Sequence, residues 1–209
     1  IRGSIPTNYR RGEKIMKLLI NEFIKDYKKK TTWLYFLLSF GIILLNSYFT
    51  KRQFEDGIDA VKILSGLTVV SVTLATVFSL IMLANNLSQE YSKGTIKFLY
   101  IKPKSRSAIL TAKIVLAFIN YIIFLVVGTV FDFLTKYYVF FDRKVGLNHL
   151  NDTIEEGYFG RTVAKQLIIT NLADLAVFIF FVAMVVLVCV VFKTQILSLV
   201  LVMLSLLGT

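Results

Sequence analysis

Runs of about 20 apolar residues, separated by blocks of charge, constrain this 209-residue chain more than any other feature. A helix rising about 1.5 Å per residue crosses the roughly 30 Å of a bilayer's hydrocarbon in that length. Inside hydrocarbon only helices and closed barrels satisfy every backbone polar group. A barrel strand alternates apolar and polar residues, whereas these runs are continuous. The chain therefore reads as all-α, a polytopic helical membrane protein. Its 56% hydrophobic content and mean hydropathy of +0.70 exclude a soluble domain of this size, whose surface needs more charge. In a membrane protein the net charge of +11 points to orientation and anionic lipid, not to nucleic acid.

In chain order, Ile1 to Ile15 lacks the apolar core of a signal peptide and reads as a tag or non-native leader, with Met16 as the expected start of one transmembrane domain, 16–209. From Met16 to Lys30, the residues Met16, Leu19, Ile20, Phe23, Ile24 and Tyr27 fall at helical spacing, with Lys17, Lys25, Asp26 and Lys28 largely opposite. Such a helix can lie in the headgroup layer, apolar face down and lysines on lipid phosphates. It can equally be the start of a longer first helix; the run Lys28-Lys29-Lys30 is a poor one to bury and favours a separate, interfacial helix.

Spans are expected over about Thr31–Phe49, Ile63–Asn86, Ser107–Phe133 and Asn171–Phe192, and Ile196–Thr209 begins a fifth. Within the second, Thr68, Ser71, Ala75 and Ser79 share a stripe of small and hydroxyl residues. Such stripes let helices pack closely; this one is also a candidate lining for a path or a dimer interface. Asp132 and Asp174 fall near span ends, where charge is cheaper than at the membrane centre. They are either solvated or paired (with Lys136 or Arg161), or they form an acidic outer vestibule. The long polar stretch Leu134–Thr170 is expected to form short helices on the outer surface.

The most specific stretch is Leu87–Lys113, a basic hinge with six Lys/Arg against Glu90 alone. Gly94 can close the preceding helix, Thr95 can cap a short one with Ile96, Leu99 and Tyr100 on its apolar face, and Lys102-Pro103 ends it. This layout (E-x3-GT-x7-P-x2-R, from Glu90 through Gly94-Thr95 and Pro103 to Arg106) resembles the permease subunits of ABC-2 type ABC transporters. More narrowly, it is similar to the small permeases of bacterial antimicrobial-peptide (lantibiotic) export and immunity systems. The resemblance implies an interfacial elbow helix, six spans in the intact subunit with about five visible here, and a coupling helix over this hinge. Glu90, Lys93, Gly94, Thr95, Ile96, Lys97, Leu99, Tyr100, Pro103 and Arg106 would then contact a separate ATPase.

Orientation follows from the short loops. With the N-terminus inside, cytoplasmic segments carry twelve Lys/Arg against eight in longer outer segments, which places the hinge where an ATPase can reach it.

Several chemistries lack their residues. No G-x4-G-K-[ST] phosphate loop is present, so this chain is not expected to be an enzyme: ATP and magnesium would bind the partner subunit, with no cofactor or metal here. Cys189 lies in an apolar run and His149 has no second His or Cys nearby. Glu155-Glu156-x4-Arg161 differs by one residue from the E-E-x3-R of glutamic intramembrane proteases and lies in a polar segment. The expected function is a plasma-membrane permease, N-terminus cytoplasmic. Its partners would be ATPase subunits, a second permease subunit, lipid, and an amphipathic peptide, lipid or drug as substrate. The alternative is a stand-alone ion-coupled transporter or scaffold; midplane carboxylates and broken helices would favour the transporter.

Overall fold

A computed structural model describes residues 7–53, 59–92, 106–141, 144–154, 160–192 and 200, with the side chains of 7–15, 90–92, 106–108 and 192 outside that description. Six α-helices are found among these residues: α1 (Thr7–Tyr27), α2 (Lys30–Gln53), α3 (Ala60–Ser65), α4 (Val69–Ser92), α5 (Arg106–Val139) and α6 (Val163–Phe192). A 3-10 helix, Leu147–Asn151, and one isolated antiparallel bridge, Thr153 with Thr162, complete them. The all-α architecture holds, and four stretches are long and apolar enough to cross a membrane: Lys30–Gln53, Ala60–Gln89, Ile109–Val139 and Val163–Val191.

The boundaries differ from the sequence reading at the second, third and fourth spans. Helix α1 begins at Thr7, inside the stretch read as a leader. The second span is not continuous: it breaks over 66–68 into α3 and α4. Gly66 is the weak point, since glycine costs about 1 kcal/mol in a helix interior; its carbonyl accepts instead from Lys136 Nζ at 3.0 Å. Helix α5 runs on to Val139, about 51 Å of helix, so Asp132 lies well inside it. Helix α6 starts at Val163, eight residues before the expected Asn171, and absorbs the end of the polar stretch. The expected fifth span lies outside the described residues except Val200, which is helical.

The chain divides into two compact units, one from Ile1–Trp33, Ser79–Asn120 and Phe181–Thr209, the other from Leu34–Phe78 and Tyr121–Phe180. In the first, the chain turns between α1 and α2 at Lys28-Lys29, the separation expected of an elbow. Helix C-termini leave carbonyls without partners; here Thr32 Oγ1 donates to Asp26 O (2.6 Å) and Trp33 Nε1 to Tyr27 O (3.2 Å). Helix α1 divides its apolar residues. Phe23 stacks on Tyr27 at 4.5 Å between centroids, with Leu19 half-buried beside them, while Met16, Ile20 and Ile24 stay exposed.

In the second unit, rings zip three helices together: Phe36 on Phe124 (4.2 Å), Phe40 on Phe131 (4.3 Å) and Tyr35 on Phe78 (5.2 Å). Beyond the helix break, Ala60, Ile63, Leu64 and Leu67 recur at helical spacing and bury against Phe140, Val145, Ile154 and Val163. Phe140, Val145 and Ile154 in this small core come from the stretch between α5 and α6. On α6 the large apolar residues Ile168, Leu172, Ile179, Phe180 and Leu187 are exposed, as suits a helix facing lipid.

Candidate functional site

The residues expected to carry function fall in three places, and the hinge comes first. Glu90 is in the last turn of α4 and Arg106 opens α5. Their side chains lie outside the described residues, as do Lys93, Gly94, Thr95, Ile96, Lys97, Leu99, Tyr100 and Pro103 entirely.

What is described is the pair of roots on which the hinge stands. Asn86, under two turns before the end of α4, is buried, and so is Lys113, two turns into α5. Asn86 Nδ2 donates to Asp26 Oδ2 of α1 at 2.6 Å, and Lys29 Nζ bridges Asp26 Oδ1 (2.9 Å) and Asn86 Oδ1 (2.8 Å). Lys113 Nζ donates to the Asn86 carbonyl at 2.6 Å and lies 3.7 Å from Glu22 Oε2, back on α1. The circuit therefore closes: α1 to α4 through Asp26, α4 to α5 through the Asn86 carbonyl, α5 to α1 through Glu22. At these distances Lys113 is hydrogen-bonded to the carbonyl and merely charge-balanced by Glu22.

Two corrections follow. Asp26 is not on the solvated face of α1 but only 1% exposed, and Lys113 is not a surface cation of the hinge but 2% exposed. Each is buried because the other helices supply opposite charge or a carbonyl; an unpaired charge at either position would be costly. The sequence did hold a signal: Glu22 and Asp26 are one helical turn apart on α1, with Lys29 in the turn just after it, and Asn86 and Lys113 are polar breaks at the ends of apolar runs. Burial, and after it the Asp26 carboxylate, pushes the neighbouring Tyr27 phenol up to about 12.

The second place is the stripe that starts at Thr68, in the break before α4, and continues along α4. Thr68, Ser71, Ala75 and Ser79 are all buried. In the second unit Ser71 faces Gly128 of α5, where a Cβ would sit 3.3 Å from Ser71 Cβ, so glycine is what permits this close approach. Asn171 Nδ2 of α6 donates to Thr68 Oγ1 at 3.3 Å.

The third place is the pair of aspartates. Asp132 is fully buried and pairs with Lys136 Nζ at 3.1 Å, one turn along α5. Asp174 is half-buried on α6, one turn after Asn171. Among the described residues no cluster of three or more His, Cys, Asp or Glu can hold a metal ion. These places hold helices tied by charge in the first unit, and in the second a close-packed stripe and a buried ion pair.

A family model described as "ABC-2 family transporter protein" matches residues 18–208. No curated protein matches the chain, and neither does any solved structure.

Proposed function

Because the chain belongs to the ABC-2 family of transporters, we propose that it is the permease subunit of an ABC exporter, driven by separate cytoplasmic ATPase subunits. The ATPases bind ATP and magnesium and dock on the hinge between α4 and α5, with Ile96, Leu99 and Tyr100 as apolar anchors and Glu90, Lys93 and Lys97 at the rim. The N-terminus is cytoplasmic, the membrane is the plasma membrane, and two permease subunits enclose the path.

The observation that carries this reading is the closed circuit at the roots of the hinge. A lever transmits force only if its base does not give. Asp26, Asn86 and Lys113 hold the two helices entering and leaving the hinge, and the elbow helix with them, through short bonds in a buried setting, with Glu22 as a longer-range counter-charge. A push on the hinge then moves α1, α4 and α5 together instead of bending one of them. The cargo is an amphipathic peptide, consistent with a stripe of small and hydroxyl residues inside an otherwise apolar domain.

The test is reconstitution of the permease with its ATPase in liposomes. Gly94→Val or Leu99→Asp is expected to abolish cargo-stimulated ATP hydrolysis and transport of a fluorescent amphipathic peptide, while the permease still inserts. An ATPase subunit that copurifies equally with both variants and the unaltered chain refutes docking at the hinge.

A further inference from the structure

Among the buried side-chain oxygens of the second unit that have no hydrogen-bond partner are Asp132 Oδ1 on α5, Ser71 Oγ on α4 and Asn171 Oδ1 on α6; Ser47, Tyr121 and Gln166 carry the others. Asp132 is 0% and Ser71 1% exposed, so neither oxygen is left to bulk solvent. Two contacts fix the register of α4 against α5. Ser71 lies against Gly128, and the Gly66 carbonyl accepts from Lys136 Nζ. Asp132 sits midway between Gly128 and Lys136, and Thr68 lies between Gly66 and Ser71, so the two occupy the same level. Asn171 joins that level from α6 through its bond to Thr68. Three helices thus bring unpartnered oxygens to adjoining turns, next to a buried ion pair and inside the stretches long and apolar enough to cross a membrane.

Buried acceptors are almost always satisfied, and more strictly so where no water is at hand. Charge decides what can satisfy these. The Asp132 carboxylate and the Lys136 ammonium already cancel, so an added cation or anion would leave one net charge in a low-dielectric setting. An uncharged donor adds none. The geometry points to a polar site at Ser71, Asp132 and Asn171 that takes an uncharged N–H or O–H group, a station for the polar part of the cargo on its way through the domain. Further along the same α5 stripe the Tyr121 hydroxyl is also buried without a partner, its ring stacked on Phe178 at 4.2 Å. It gives such a group a next position. The identity of the visitor as cargo depends on the transport reading above; the polarity of the site does not.

Cysteine accessibility tests this on the full chain in membranes. The single native cysteine, Cys189, is first changed to serine, and Ser71→Cys and Asn171→Cys are made in that background. Each is treated with uncharged hydroxyethyl methanethiosulfonate, its trimethylammonium analogue and its sulfonate analogue. Rates are normalised to Asn148→Cys, which is exposed on the 3-10 helix, with buried apolar Leu116→Cys as the dry control. The expected result is modification of both test positions by the hydroxyethyl reagent at least about tenfold faster than by either charged reagent, as a desolvation cost above about 1.4 kcal/mol requires. Leu116→Cys should stay unmodified. If Ser71→Cys does not insert, Asn171→Cys alone carries the same expectation from the other helix. Silence at the test positions, or charged reagents that keep pace, overturns the site. Labelling needs no ATPase, so a dry site leaves docking at the hinge standing, and a failed docking experiment leaves the labelling result standing.

Discussion

Asp26→Ala should destabilise the protein more than any other single truncation on the elbow helix, and the bonds give the size. Asp26 accepts from Asn86 Nδ2 at 2.6 Å and from Lys29 Nζ at 2.9 Å. Hydrogen bonds to a charged group contribute about 1.5–3 kcal/mol each, and a buried donor left without an acceptor costs about 1–3 kcal/mol. The two partners are not equal. The Lys29 side chain is 28% exposed and can turn its ammonium to water once released, so its bond counts near the bottom of that range. Asn86 is buried and cannot recover. Together these give a loss of about 2–4 kcal/mol for Asp26→Ala, against about 1 kcal/mol for Lys29→Ala. The assay is equilibrium unfolding in mixed micelles of rising SDS fraction, followed by the fluorescence of Trp33, the one tryptophan, whose indole N–H holds the carbonyl next to Asp26. A change below about 0.5 kcal/mol for Asp26→Ala, or an equal loss for Lys29→Ala, would refute the idea that the buried circuit fastens α1 to α4.

Other perturbations separate the remaining contacts. Lys113→Met should cost about 2–4 kcal/mol in the same assay, whereas Glu22→Gln, whose carboxylate sits 3.7 Å away and is partly exposed, should cost under about 1 kcal/mol. Gly128→Leu forces a side chain into the contact with Ser71 and should destabilise by about 1–3 kcal/mol, with partial recovery when Ser71→Gly is added. The Tyr27 phenol, held at about 12 in the fold against an ordinary 10.0, keeps its proton where the unfolded chain has lost it. Its contribution is thus complete below pH 10 and declines as pH rises from 10 to 12; stability measured across that window should fall more steeply for the unaltered chain than for Tyr27→Phe.

The spans were legible because length and hydropathy alone decide whether a helix can cross a bilayer. Thr31–Phe49 lies within Lys30–Gln53, and the turn at Lys28-Lys29 was foreshadowed by three consecutive lysines. The break at Gly66 is not legible in the sequence, because Ile63 to Asn86 holds no charged residue and the lysine that takes up the freed carbonyl is 70 residues away. Asp26 and Lys113 were misplaced for the same reason. Local pattern assigns a charge to the wet face of a helix, and only the packing of α1 against α4 and α5 shows that its counter-charges come from elsewhere. Polar positions on α4 were legible as a stripe, but which oxygens are satisfied depends on Asn171 and Gly128, on two other helices.

The central claim is that the hinge between α4 and α5 is a handle on the cytoplasmic side for an external motor. Lys97→Cys in a chain without Cys189 measures this most directly, by reaction with a membrane-impermeant maleimide. In intact cells the thiol should stay unlabelled; in inverted vesicles it should react, and added ATPase subunit should protect it. Labelling from the outside of intact cells would put the handle beyond any ATPase and contradict the account.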